Sequence, residues 1–481
     1  MGYLIFAILL VLIHIGLWKL FVKAGRAGWE SLIPLYREHI ISHKVTGRPI
    51  WWLALLLIPI VNIFIFFGLY LDLVKSFGKR RFWEYSATIL LPFVVLPLWG
   101  NDKQVQYLGQ SATPAFKEKH PYKKSFAREW ADAIVFAVVA ATLIRGFLIE
   151  AYMIPTGSME KSLLVGDFLF VSKLNYGPRV PMTPVAFPFA HHTMPLTGGK
   201  AYWEGIKIGY KRLPGFQEIK RNDVVVFNFP MEADAPFNRP IDKRENYIKR
   251  AIGIPGDTIS LLMAQVFVNG EKGFNPPQGQ MEYLVYTDGS GLNAQRLLDL
   301  RIESNLQFRE PYLLFLTEKT YEEVAGWANV SKIVPAIRPE NTPELGVFPS
   351  TRDKISELHP WNMDNFGPVI VPQKGWTVNL DSMSYPIYER AIRVYEGNEL
   401  EQREADGLYY LNGSPATEYT FQMDYYWMMG DNRHNSEDAR VWGFVPEDHI
   451  VGKAMFVWLS LDQHGTFLDK IRWNRIFMGI K

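Results

Sequence analysis

The rhythm of hydrophobic positions changes near residue 150. Before it, apolar residues come in long uncharged runs; after it, in short β-branched and aromatic runs broken by turns. Tyr3–Trp18 carries no charged side chain and ends at Lys19. It lacks a basic start and a small-residue cleavage site, so it reads as an inserted span and not a cleavable signal. Ile50–Leu71 is uncharged over 22 residues, opened by Trp51-Trp52 and closed by Asp72. As a helix it exceeds the ~30 Å hydrocarbon core, which predicts a span. Tyr85–Trp99 would reach only ~22 Å and is interrupted by Pro92 and Pro97, so it is a short span or a re-entrant segment. Trp130–Ile149 is the last candidate, its apolar centre Ala133–Ile144 lying between Asp132 and Arg145.

Lysine and arginine asymmetry orients these segments. Lys103, Lys117, Lys119, Lys123, Lys124 and Arg128 precede the last span, and Lys161 is the next basic residue beyond it. The last span therefore runs outward, placing the chain after Glu150 on the extracytoplasmic side. The basic loop Lys19–Arg48 should also be cytoplasmic. Lys75, Lys79, Arg80 and Arg81 conflict with four full spans, unless the third segment is re-entrant or that loop breaks the rule.

From Ala151 the pattern predicts a mainly β body. Candidate strands are Phe168–Val171, Val224–Phe229, Tyr247–Ile254, Thr258–Leu262, Val266–Val268, Trp376–Leu380, Leu408–Leu411 and Ala454–Leu459. Gly166-Asp167, Pro255-Gly256-Asp257, Asn269-Gly270, Asn412-Gly413 and Gly430-Asp431-Asn432 are turn signals between them. Helical periodicity is confined to a short stretch near Glu318–Trp327, and Gly177–Gly199 reads as a loop. The predicted organisation is a membrane region over 1–129, a transmembrane helix over 130–150, a catalytic body over 151–270 and 424–461, and an inserted β-rich or mixed subdomain over 271–423. A basic aromatic tail over 462–481 either touches an anionic membrane surface or packs on the body.

Composition sharpens this picture. Hydrophobic residues are 48% of 481, enough for a core, and aromatics are 14%, which suits a membrane interface. The net charge of +2 excludes a global field for nucleic acid, and with no cysteine there is no thiol chemistry or disulfide. There is no P-loop, no dinucleotide fingerprint and no HExxH helix. His191-His192 lacks a carboxylate at ligand spacing and reads as loop, so no metal or cofactor is expected.

Three constellations carry chemistry. Ile154-Pro155-Thr156-Gly157-Ser158-Met159 lifts a hydroxyl clear of regular structure just after the last span. Tyr247–Asp257 holds Lys249 inside an otherwise apolar strand, where alternation puts Tyr247, Lys249 and Ala251 on one face and Arg250 on the other. Gly430–Arg440 is a polar loop rich in turn formers. Singly these read as a turn residue, an edge lysine and a structural turn; together, and in this order behind a membrane span, they form a pattern.

That pattern resembles the bacterial type I signal peptidases, the Ser-Lys leader peptidases of peptidase family S26. The N-terminal extension looks like that of the Bacteroidota branch. The resemblance rests on Pro155–Met159 with Gly166–Val171, on Lys249-Arg250 with Pro255-Gly256-Asp257, and on Gly430–Arg440. It implies Ser158 as nucleophile and Lys249 as general base. A serine attacks an amide only when its proton is removed, and a lysine can accept it only if its pKa of ~10.4 falls by about 2–3 units. An apolar strand with no acidic residue within two positions supplies that desolvation. The oxyanion donors would be the Ser158 N–H and the Thr156 hydroxyl, where many members have serine. Ser436 would orient the base. Asp438, paired with Arg440 or another cation, would support it, together with Gly430 and Asp431. Arg250 would serve structure, and Met159 would pack beside the site. Ala439, Glu160 and Lys161 depart from the family pattern in these supporting positions.

The implied substrates are secretory precursors, bound as an added strand with small residues before the cleaved bond in shallow pockets. Candidate linings are Ile154, Phe168 and Ile252. The lipid bilayer and the secretion translocon are the other expected partners, and nucleic acid is not. The expected location is the inner membrane, multi-pass, with the catalytic body outside. The competing reading is an inactive scaffold that binds signal peptides; it is disfavoured because both Ser158 and Lys249 are present.

Overall fold

A computed structural model describes residues 2–57, 61–122, 125–302, 304–305, 310–351, 354–403, 407–462 and 470–480. Contacts divide the chain at 140/141.

In the first unit, the opening apolar run is a helix over Gly2–Lys23. The expected continuous span Ile50–Leu71 is not one helix: Ile50–Leu57 is a 3₁₀ segment, and an α-helix follows over Val61–Lys75. Between them the sequence carries Pro59, which has no N–H to donate to a helix. The third run is also broken. Helices Phe82–Leu90 and Pro92–Asn101 meet at 117°, because Pro92 opens a new helix after Leu91 leaves helical conformation. Leu17, Leu20 and Phe21 pack with Ile40, Leu69, Leu73, Leu96 and Trp99 to form the core of this unit. Its basic loops are bonded to one another. The Ala112 N–H donates to the Thr46 carbonyl at 2.9 Å, and the Leu108 N–H to the Ser76 carbonyl at 2.8 Å. Arg80 Nη1 reaches the His120 carbonyl at 2.7 Å.

Phe126–Phe147 is, among the described residues, the one unbroken helix long and apolar enough to cross a membrane. It ends two residues before the predicted limit, since Ile149 already begins a strand.

The second unit is mainly antiparallel sheet, as its alternation predicts. The principal sheet orders its strands Ile149–Met153, Asp167–Ser172, Ile450–Ser460, Val224–Asn228, Asn246–Gly253, Tyr425–Met429 and Val445–Pro446, with Met478–Gly479 added to the long Ile450–Ser460. Along Asn246–Gly253 the two faces enter different cores. Tyr247 and Ala251 pack with Val225 and Phe227, and Ile248 packs with Val224 and Val226. Val225 stands opposite Lys249 in register, so the lysine's cross-strand neighbour is apolar.

Within 271–423 the structure distinguishes two parts. Met281–Thr287, Tyr312–Leu316, Val330–Pro335 and Ser304–Asn305 form their own sheet, and helix Glu318–Ala325 adds Val324 to a separate core with Val285, Leu314 and Trp327. By contrast, Phe348, Phe366, Tyr388 and Phe421 share one core with Ile252, Trp427 and Phe444 of the body. In the tail, Arg475 is buried against Asp167 at 2.6 Å, whereas Trp473 and Phe477 remain exposed.

Candidate active site

Proline and glycine shape the first element. Ile154 is the last residue held to the Asp167 edge, through its N–H and the Asp167 carbonyl at 2.8 Å. Pro155 and Thr156 then run exposed and extended into the single 3₁₀ turn Gly157–Met159. Met159, fully buried, anchors the turn, and Ser158 is left half-buried at its surface. Thr156 Oγ1 makes no capping bond to the turn and its side chain is exposed.

Lys249 comes to this turn from the centre of the sheet. Its Nζ lies 2.6 Å from Ser158 Oγ, and the residue is 3% exposed. Burial is the dominant influence on the amine and lowers its pKa. Asp438, Glu437 and Asp431 pull it back up and Arg440 pushes it down, leaving it at about 8 from 10.5. At that value about a tenth of the amine is neutral at about pH 7, and neutral nitrogen can accept the Ser158 proton. The acidic residues that oppose deprotonation come from the distant Gly430–Arg440 loop.

That loop is the brace behind the pair. The Asn432 N–H donates to the Ser158 carbonyl at 3.1 Å, and Asn432 Nδ2 donates to the Gly157 carbonyl at 3.1 Å. Gly430 is obligatory by close approach: a Cβ there would stand 2.1 Å from Ser436 Oγ and 2.5 Å from the Ser158 carbonyl oxygen. Arg250 makes a bidentate, buried pair with Asp431, at 2.8 and 2.7 Å. Asp438 accepts from Arg440 at 2.9 and 2.7 Å and from the Gly430 N–H at 3.0 Å. Burial pushes the Asp438 carboxyl up, but Arg440 and the Gly430 N–H outweigh it and hold the carboxyl below its ordinary range.

Ser158, Lys249, Met159, Gly430, Asp431, Asp438, Arg440 and Arg250 are thus joined in one network. Ser436 lies at its edge beside Gly430, with its Oγ buried and without a hydrogen-bond partner among the described residues. The three predicted pocket residues separate. Ile154 packs in the cluster of Met159 and Val226, Ile252 in that of Trp427 and Phe444, and Phe168 lies edge-on to Trp458 at 5.9 Å. His191 bonds the Arg244 carbonyl at 2.7 Å and His192 the Glu245 carboxylate at 2.9 Å.

Sequence reasoning gave no role to Asn432, although it lies within the motif, and did not find Gln280 or Asp364. The Gln280 N–H donates to the Asp431 carbonyl and its carbonyl accepts from Arg433, at 3.0 and 2.9 Å. Asp364 meets His434 at 2.5 Å. Gln280 and Asp364 lie far from the motif in sequence and carry no local signature.

The sequence model of the signal peptidases of peptidase family S26 matches residues 127–292 and 377–459. The chain belongs to this family. It is therefore a serine endopeptidase, a hydrolase of peptide bonds. It is 27% identical over 339 residues to the signal peptidase I of Buchnera aphidicola (Acyrthosiphon pisum), covering 70% of this chain and 77% of that one. With the Haemophilus influenzae signal peptidase I, identity is 25% over 409 residues, or 81% and 86% of the two chains. With that of Pseudomonas aeruginosa it is 26% over 358 residues, or 72% and 77%. The matched ranges of the peptidase family leave out 293–376, within the expected insertion. A family of unknown function (DUF5684) matches residues 29–110.

Proposed function

We propose that this peptidase is membrane-anchored and removes signal peptides from secretory precursors by a Ser158–Lys249 dyad. The observation that carries the reading is the buried amine 2.6 Å from the hydroxyl, with its pKa lowered to about 8. Neutral Lys249 takes the Ser158 proton as Oγ attacks the scissile carbonyl. The oxyanion is met by the Ser158 N–H and the Thr156 hydroxyl, once that side chain turns toward substrate. The Lys249 ammonium then protonates the leaving amine, and the acyl-enzyme forms. Water, deprotonated by the same amine, releases the acid and regenerates serine. Asp438–Arg440 and Arg250–Asp431 are positioning pairs that fix the brace, and Ser436 Oγ is a free donor beside it for the amine. Ile154, Phe168 and Ile252 stay as candidates for the shallow substrate pockets.

Membrane anchoring rests on Phe126–Phe147, whose 22 residues span ~33 Å. The two interrupted segments give a simpler topology than four spans. Neither need cross the bilayer, because the loops at Thr46, Ser76–Arg80 and Leu108–His120 are hydrogen-bonded together and belong on one side. All the basic loops are then cytoplasmic, helix Phe126–Phe147 crosses, and the catalytic unit is outside.

The decisive experiment assays a purified precursor in detergent with Ser158→Ala and, separately, Lys249→Ala. Both should abolish cleavage with the fold intact. Substantial turnover by either variant refutes the dyad.

A further inference from the structure

A second site stands apart from the dyad. A cavity of about 230 Å³ opens where helix Phe126–Phe147 ends, with Thr142, Arg145 and Gly146 in its wall. The rest of the wall comes from strands of the principal sheet and their ends, from the 3₁₀ turn Ile241–Lys243, and from the Pro-rich loop after Gly177, which the peptidase reading leaves without a role. Four cations line it, Arg145, Lys173, Arg179 and Lys243, against two carboxylates, Glu150 and Asp242.

Both carboxylates are already engaged. Glu150 accepts from Arg145 Nε at 2.6 Å, Lys173 at 2.8 Å and the Tyr152 hydroxyl at 2.8 Å. Asp242 accepts the Thr183 N–H and hydroxyl, each at 2.8 Å. Arg179 is spent on the Asp448 carbonyl and the Asn228 side chain. Lys243 is held more loosely, by a wide ion pair to Asp242 and by the Tyr202 ring 5.9 Å from its ammonium. It is 9% exposed, its ammonium makes no hydrogen bond among the described residues, and Asp242 is 3.9 Å away. A buried ammonium held near other cations needs an anion. Burial lowers the pKa of Lys243, of Lys173 and of Arg179; Asp242 and Glu150 pull Lys243 back up, Glu150 does so for Lys173 and Asp242 for Arg179, and Arg145 and Arg179 push the two lysines down again.

We propose that this cavity binds the phosphate of an anionic lipid headgroup, with Lys243 and Arg145 as its principal donors. The inference rests on the membrane-anchored reading. An apolar helix of spanning length delivers its last turn to the cavity, so the cavity lies at headgroup depth. Phosphate esters are the abundant fixed anions at that depth. Arg145 keeps more than a third of its side chain exposed, which leaves guanidinium donors for a ligand beyond Glu150.

The test uses the full chain in neutral detergent, with phosphatidylglycerol or phosphatidylcholine added, and counts bound lipid by native mass spectrometry. The wild type should retain phosphatidylglycerol in preference to phosphatidylcholine. Lys243→Gln should weaken phosphatidylglycerol retention about fivefold. Lys243→Arg should keep it, and Lys207→Gln, an exposed charge change elsewhere, should leave it unaltered. Unfolding midpoints compared across the variants separate lost binding from lost fold. Equal retention of the two lipids by the wild type, or undiminished phosphatidylglycerol on the folded Lys243→Gln chain, overturns the proposal. Displacement of the lipid by inorganic phosphate overturns the lipid source and assigns the cavity to the free anion. A failed membrane reading would show separately, as a chain that stays soluble without detergent.

Discussion

Lys249→Met tests the central physical claim, because it removes the amine while keeping a side chain of similar length. The drop from 10.5 to about 8 is worth about 3 kcal/mol at ~1.36 kcal/mol per unit. The sign follows from proton counting. Between about pH 8 and about pH 10.5 the unfolded chain holds this proton and the folded chain does not, so stability rises with pH across that window. Below about pH 8 both states are protonated, and the folded state carries the full cost of a buried ammonium. Methionine removes that cost and forfeits the bond to Ser158, worth ~1 kcal/mol. The variant should therefore be about 2 kcal/mol more stable than wild type near neutrality. The margin should shrink above about pH 8, vanish near about pH 9.5 and reverse beyond it. Denaturant titrations in detergent over a pH series measure it. Cleavage of a precursor by the same samples should fall by at least ~10²–10⁴-fold. In the wild type it should rise about tenfold per pH unit until the plateau above about pH 8. A variant less stable than wild type near neutrality, or a margin that does not move with pH, refutes the reasoning.

Gly430→Ala forces a methyl against Ser436 Oγ and the Ser158 carbonyl, so cleavage should collapse and stability should fall by ~1–3 kcal/mol in an unfolding titration. Ser436→Ala removes a buried hydroxyl with no partner among the described residues; stability should stay within ~0.5 kcal/mol while kcat drops. A loss of stability without loss of rate would reduce this hydroxyl to packing. Thr156→Val should cut kcat by ~10²–10³ and Thr156→Ser should restore it, read from initial rates on one precursor.

Period-two alternation was legible wherever a strand had one apolar and one polar face or lay between two cores, as along Asn246–Gly253 and Asp167–Ser172. Ile149–Met153 was missed because a single residue, Leu148, separates it from the helix that ends at Phe147. Ser158 and Lys249 each stood out as a local anomaly, one among proline and glycine and one in an apolar strand, and it was the family resemblance that paired them; the structure brings the two within 2.6 Å. The acidic residues that set the Lys249 pKa were invisible beside it, since they arrive from a loop nearly two hundred positions later. Breaks within the apolar segments were partly legible, since Pro92 marks the bend of the third run, whereas the bonds that join Thr46, Ser76 and the segment 108–112 leave no mark in the hydrophobic pattern. Ile154 and Ile252 stand in separate clusters, and the strand of Ile252 is three places from that of Phe168 in the sheet, a separation that sequence spacing does not display.

The hold of Asn432 on the Gly157–Ser158 carbonyls has a temporal side. Ribosomes deliver Ser158 long before they deliver Asn432, and domains settle as they emerge. A nascent chain that has passed the serine but not yet reached the asparagine lacks both bonds that hold the Gly157–Ser158 carbonyls. The shape of this turn thus waits on a segment made much later than the turn itself.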